Sequence, residues 1–207
     1  MVAAEDIRWD QMTIPRTLRG AAERFGEALA LDDEGVRLSF TQLAAAGEGA
    51  ARAFIAAGLR PGERAAIWAP NLWEWVVAAL GLQSAGGVLV PLNTRYKAAD
   101  AGYILRRSRA RVLCTMGDFL GTNYADSLGG EALPDLERVV VFRGTSKRGE
   151  AWTDFVAAGA GVPIGGHQLL DVLCGGRPAI GAPRKRREHT AHARLLAVDQ
   201  VVAQQHD

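Results

Sequence analysis

Twenty consecutive residues without a charge, Trp75 to Thr94 (WVVAALGLQSAGGVLVPLNT), constrain the fold of this chain more than any other feature. A bilayer span needs about 20 apolar residues, so length alone permits a transmembrane helix. Gln83, Ser84, the Gly86-Gly87 pair, Pro91 and Asn93 divide the stretch into a helix-like half and a strand-like half. Helix breakers and polar groups so placed describe a buried helix, a turn and a buried strand, and no membrane span is predicted. A short apolar run, Arg64–Trp68, precedes the pair across Pro70-Asn71. The order strand 64–68, helix 72–84, strand 88–92 is therefore a βαβ crossover, which is parallel and right-handed.

The same alternation extends over residues 13–162. Ile14 to Phe25 places Leu18, Ala21, Ala22 and Phe25 on one helical face and Arg16, Arg19 and Glu23 on the other. Ala28–Leu31 and Val36–Phe40 flank an Asp-Asp-Glu-Gly turn and read as a hairpin. Thr41 is the expected N-cap of a helix whose Leu43, Ala46, Ala50, Ala53 and Ala57 recur at helical spacing up to Gly58. Further helices are expected at 98–107, 119–128 and 151–158, and strands at 111–115 and 138–142. Repeated crossovers imply a doubly wound α/β sheet, with ligands beyond the carboxyl ends of its strands.

Composition excludes several function classes. The 24 basic and 23 acidic residues give a formal net charge of +1, without the footprint of a nucleic-acid or anionic-membrane binder. Cys114 and Cys174 are too widely spaced for a CxxC pair, so a cytoplasmic, reducing compartment and ordinary buried thiols are expected. All four histidines (His167, His189, His192, His206) follow residue 162, and their spacing matches no metal-ligand pattern. Without a histidine or a G-x-S-x-G context, residues 1–162 cannot build a Ser-His or Cys-His nucleophile. Neither GxGxxG nor GxxxxGK[ST] occurs, and no metal site is expected. Trp68, Trp73 and Trp75 are expected in the core rather than around an apolar pocket.

Beyond residue 162 the character changes. None of the fourteen aromatics lies there, and Arg184-Lys185-Arg186-Arg187 forms a basic run that reads as a solvated segment. The expected organisation is a flexible 1–12, a domain over 13–162 and a divergent 163–207, disordered or weakly helical near 191–204.

Residues 39–114 resemble the N-terminal part of the adenylate-forming acyl-CoA synthetases, the AMP-binding or fatty-acid–CoA ligase family. Ser39-Phe40-Thr41-Gln42-Leu43, Gly58-Leu59-Arg60-Pro61-Gly62-Glu63-Arg64 and Ala69-Pro70-Asn71-Leu72-Trp73-Glu74-Trp75 carry the resemblance. So does Ala85-Gly86-Gly87-Val88-Leu89-Val90-Pro91-Leu92-Asn93-Thr94-Arg95-Tyr96, and the likeness extends loosely from Ile14 to Gly161. The resemblance implies a fold that is the incomplete N-terminal part of a layered, doubly wound ligase domain. It implies ATP-dependent formation of an acyl-adenylate from a hydrophobic carboxylic acid, then of an acyl-CoA, with ATP, Mg and CoA in the full-length family.

That chemistry needs a hydroxyl- and glycine-rich loop to cradle phosphates. Where the family carries T-S-G-T-T-G-x-P-K-G, this chain reads Asp171-Val172-Leu173-Cys174-Gly175-Gly176-Arg177-Pro178-Ala179-Ile180-Gly181. No catalytic, cofactor-binding or metal residue of the family therefore transfers to a position here, and no cofactor is expected for this portion. The codons of Gly175–Ala179, read from each third base, permit Gly-Thr-Thr-Gly, so the tail is expected to be an out-of-frame reading. The resulting expectation is a portion inactive alone. The alternative is an interaction module whose partner is a separately encoded C-terminal ligase half.

Overall fold

A computed structural model of the chain describes residues 13–163. The expectations for residues 1–12 and for the tail lie outside the described residues. Those for the tail concern its histidines, Cys174, its basic run, its helix and its reading frame.

The first helix, α1 (Ile14–Phe25), opens on Thr13, whose Oγ1 accepts the Arg16 N–H at 3.4 Å, with Pro15 in the first turn. Strands β1 (Leu29–Asp33) and β2 (Val36–Ser39) form the expected antiparallel hairpin. Helix α2 (Phe40–Ala56) begins two residues earlier than Thr41 as N-cap implies. Its N-cap is Ser39, whose Oγ accepts the Gln42 N–H at 3.1 Å while Gln42 Oε1 accepts the Ser39 N–H at 2.9 Å. Two orphan donors are thus satisfied reciprocally, which Thr41 cannot do from inside the helix. At the other end, Gly58 turns left-handed at φ 79°. The Gly58 N–H donates to Ile55 O and the Leu59 N–H to Phe54 O, a Schellman closure in which a side chain at 58 would be strained.

Strands β3 (Arg64–Trp68), β4 (Val88–Pro91), β5 (Ala110–Thr115), β6 (Arg138–Val141) and β7 (Glu150–Ala151) make one parallel sheet in the order β4-β3-β5-β6-β7. Ala65, Ala66, Ile67 and Trp68 are all essentially inaccessible, because β3 is covered on both faces. From β3 the chain moves one way to β4, then passes back to β5 on the other side. Right-handed crossovers in opposite directions place their helices on opposite faces, so α3 (Trp73–Ser84) and α4 (Ala98–Ser108) cover different sides. Helices α1, α2, α3 and α6 (Trp152–Ala158) pack together, while α4 meets a 3-10 turn at Leu128–Gly130. No helix among the described residues is long and apolar enough to cross a membrane.

One further expectation is corrected, and one strand was not foreseen. The helix expected over 119–128 shrinks to a single turn, α5 (Tyr124–Ser127). Ahead of it Phe119 and Thr122 exchange backbone hydrogen bonds across Leu120 (φ 52°) and Gly121 (φ 77°), and helical φ is lost there. Strand β7 had no counterpart in the sequence reading, since two residues display no period.

Candidate functional site

In a doubly wound sheet the ligand crevice opens where the winding reverses, here at the carboxyl ends of β3 and β5. Side chains fill it. The Trp68 indole stacks on Tyr124 with ring centroids 4.4 Å apart, and Phe119 meets Tyr124 edge-on at 5.9 Å. Trp68 Nε1 donates to Asn93 O at 3.0 Å, Tyr124 Oη to Thr94 O at 2.6 Å, and Thr115 Oγ1 to Trp68 O at 2.8 Å. Burial pushes the Tyr124 phenol above its ordinary value. Every donor of this aromatic plug is spent on a carbonyl, and the apolar faces meet each other. The described residues of the crevice therefore do not fit a nucleotide triphosphate, which needs convergent donors and room for close backbone approach.

A second polar cluster sits at the start of α3. Just beyond β6, Arg143 Nε and Nη2 bind Glu74 Oε1 and Oε2 at 2.8 and 3.0 Å, and Nη1 binds Glu34 Oε2 at 2.6 Å. Asp33 Oδ2 lies 3.4 Å from the same guanidinium and accepts the Trp73 N–H at 2.9 Å, so it satisfies an orphan donor of α3. Glu74 is only 4% exposed. The Glu74 carboxylate, followed by burial and by Glu34, governs the Arg143 guanidinium, whose net shift is upward. Among the described residues, the three carboxylates Asp33, Glu34 and Glu74 share this one guanidinium. Nothing in the sequence signals this cluster, since its members are separated by up to 110 positions.

Between the helices lies a cavity of about 490 Å³, walled by Ala46 and Gly49 of α2, Trp73 and Val77 of α3, and Trp152 and Val156 of α6. Among the described residues, no charged one lines it. The tryptophan expectation holds for Trp68, which is core, and for Trp73 and Trp75, which pack against the core, while Trp73 also lines the cavity. Cys114 is fully buried, and burial pushes its thiol far above the ordinary range, so it behaves as a small apolar residue. Among the described residues no group of three or more His, Cys, Asp or Glu side chains is placed to hold a metal ion.

The family model for "AMP-binding enzyme" matches residues 18–164. This chain belongs to the AMP-binding enzyme family. Among its relatives, the 3-[(3aS,4S,7aS)-7a-methyl-1,5-dioxo-octahydro-1H-inden-4-yl]propanoyl:CoA ligase of Mycobacterium tuberculosis is 44% identical over 152 residues, covering 73% of this chain and 30% of the relative. The mitochondrial medium-chain acyl-CoA ligase ACSF2 of Mus musculus is 32% identical over 169 residues, covering 80% of this chain and 27% of that protein. The anthranilate CoA ligase AuaEII, solved with anthranoyl-AMP, superposes with a TM-score of 0.64 at 27% identity, over 75% of this chain and 29% of that one. Mycobacterium smegmatis MbtA shares the fold, with a TM-score of 0.65 at 24% identity over 75% of this chain and 28% of that one. This AMP-binding chain thus spans under a third of the length of the relatives it matches.

Proposed function

We propose that this chain is the scaffold portion of a CoA ligase for a hydrophobic carboxylic acid, and that it forms no acyl-adenylate alone. The relatives named as CoA ligases for a bicyclic propanoate and for medium-chain acids support the substrate class. The observation that carries the scaffold role is the filled crevice, where Trp68 and Tyr124 occupy the position a ligand takes in a doubly wound sheet. ATP, Mg and CoA belong in this reading to the complete enzyme, and the location is the cytoplasm. The test is ATP–pyrophosphate exchange by the purified 207-residue chain with Mg and the acids of those relatives. Exchange at the no-enzyme background is expected, and exchange above it overturns the reading.

A second role follows from the open cavity between α2, α3 and α6, an apolar surface such as interaction modules use. In that role the chain pairs with a separately encoded C-terminal ligase half. Addition of that half to the same assay is expected to raise exchange above background.

A further inference from the structure

Helix α4 (Ala98–Ser108) lies on the sheet through Ala101, Gly102 and Leu105, and its outer face carries charge that the fold does not use. Residues 95–109 (RYKAADAGYILRRSR) hold five cations, Arg95, Lys97, Arg106, Arg107 and Arg109, and one acid, Asp100. The formal net charge of +1 for the whole chain conceals this excess, because it averages over every face. All five cations are exposed. Asp100 is occupied locally, its Oδ2 accepting the Lys97 N–H at 3.2 Å. Of the five cations only Arg106 has a carboxylate partner among the described residues, Glu131 at 2.7 Å.

The helix itself explains part of the set. Arg106 and Arg107 stand in the last turn, where a cation favours the helix dipole. Arg95 and Lys97 stand at the opposite end, where the dipole is positive and a cation is disfavoured, and no carboxylate among the described residues pairs with either. The Arg95 N–H donates to Asn93 Oδ1 at 2.9 Å, which orders the turn and leaves the guanidinium without a partner. Tyr103, 62% exposed, stands one turn from Arg106 and Arg107, and Tyr96, ahead of the helix, is 40% exposed.

The geometry selects the class of anion. The cations are strung along a helix of about 16 Å and are exposed on a convex face. A single small anion needs convergent polar groups, which a convex face does not supply. A plane of many anions meets the face along its whole length. Tyrosine, with an apolar ring and a polar tip, is the residue that sits at headgroup level where water meets lipid. We infer that the outer face of α4, with Arg95, Tyr96, Lys97, Tyr103, Arg107 and Arg109, docks on an anionic lipid bilayer surface. The contact is peripheral and reversible, since it is made by a few cations and two rings. It goes beyond the ligase reading and does not depend on it.

The experiment is co-sedimentation of the full 207-residue chain with vesicles of phosphatidylcholine alone and of phosphatidylcholine with phosphatidylserine. Binding is expected to the phosphatidylserine vesicles only, with release at high salt as the charges are screened. Each Lys or Arg at an anionic leaflet contributes about fivefold in affinity, so R95Q/K97Q/R107Q is expected to bind about a hundredfold more weakly. None of those three side chains has an ion-pair partner to lose among the described residues, and circular dichroism is expected to be unchanged. Y103S is expected to weaken binding by a smaller factor. Lys147 and Arg148, exposed in the loop after β6, supply the control K147Q/R148Q, which is expected to bind as the unaltered chain does. Absence of binding, equal binding to neutral vesicles, undiminished binding by the triple variant or by Y103S, or equal loss in K147Q/R148Q overturns the inference. So does retention of the chain on immobilised poly-glutamate without sedimentation on either vesicle, which assigns the face to an acidic polypeptide. Pyrophosphate exchange measured on the same preparations bears on the ligase reading alone, so the two failures are distinguishable.

Discussion

Helices α2 and α3 meet in two different ways along their length. Toward the end of α3, Gly81 lies against α2 so closely that a Cβ there would stand 2.4 Å from Ala50 Cβ and 2.9 Å from backbone atoms of Ala50 and Ala51. Toward its start the helices part, and Ala46, Gly49, Trp73 and Val77 line the cavity instead. Both ends use small residues on α2, Ala50 and Ala51 at the closed end and Ala46 and Gly49 at the open one. Small side chains permit close approach only where the facing residue is also small, and opposite an indole they leave space. The open end is also anchored by polar groups, since Asp33 caps Trp73 and Arg143 holds Glu74.

The comparison is most strongly tested by removing that anchor. R143A strands a carboxylate that is 4% exposed, and unfolding in urea is expected to show a loss of about 3 kcal/mol. A loss below about 1 kcal/mol would mean that the open end does not depend on the anchor. Next in size is G81A, which forces backbone apart at the closed end and is expected to cost about 2 kcal/mol by the same measurement. Its counterpart G49A should act in the opposite direction. The added Cβ lies 3.8 Å from Val156, an ordinary contact, and alanine favours the helix, so a gain of about 0.5–1 kcal/mol is expected. Equal signs for the two glycines would break the distinction between the ends.

The smallest effect lies away from both ends, at the amino edge of the sheet. Arg111 bridges Glu63 and Glu137 there and donates to Gly58 O at 3.0 Å. Burial opposes ionisation of Glu63, yet the Arg60 N–H and the Arg111 guanidinium outweigh it and hold the carboxyl below its usual value. The hydrogen bond from Arg111 lowers Glu137 likewise. With folded values depressed, the folded state binds fewer protons than the unfolded one. The stabilisation is complete above the ordinary glutamate value of about 4.3 and is lost as pH falls through the folded values. E63Q is expected to weaken the chain slightly at pH 7 and to flatten the fall in urea midpoint between pH 5 and 3. An unchanged acid slope would remove Glu63 from this account.

Local chemistry made much of the fold legible. The helix starting at Ile14, the strand Arg64–Trp68 and the hairpin around Glu34-Gly35 follow from period and turn residues alone. The Ser39 cap was legible too, in the spacing of Ser39 and Gln42, but the apolar Phe40 favoured extending the preceding strand. The missing helix over 119–128 had its own markers in Gly121 and Asn123. Asn123 caps the short α5 by accepting the Asp126 N–H at 2.9 Å. The site was less accessible, because three tryptophans close in sequence fare differently, and no periodicity distinguishes a ring stacked on Tyr124 from one facing a gap.

By itself the sequence determined the alternation of apolar strands and amphipathic helices, and with it a parallel, doubly wound sheet of the AMP-binding family, because both depend on residues within one element or its neighbours. Only the tertiary structure decided that Trp68 and Tyr124 plug the crevice at the winding reversal. It alone gathered Asp33, Glu34, Glu74 and Arg143 at the start of α3, and it alone opened a cavity between α2, α3 and α6. Each depends on which residues face one another across elements far apart in the chain, and only packing in three dimensions specifies that.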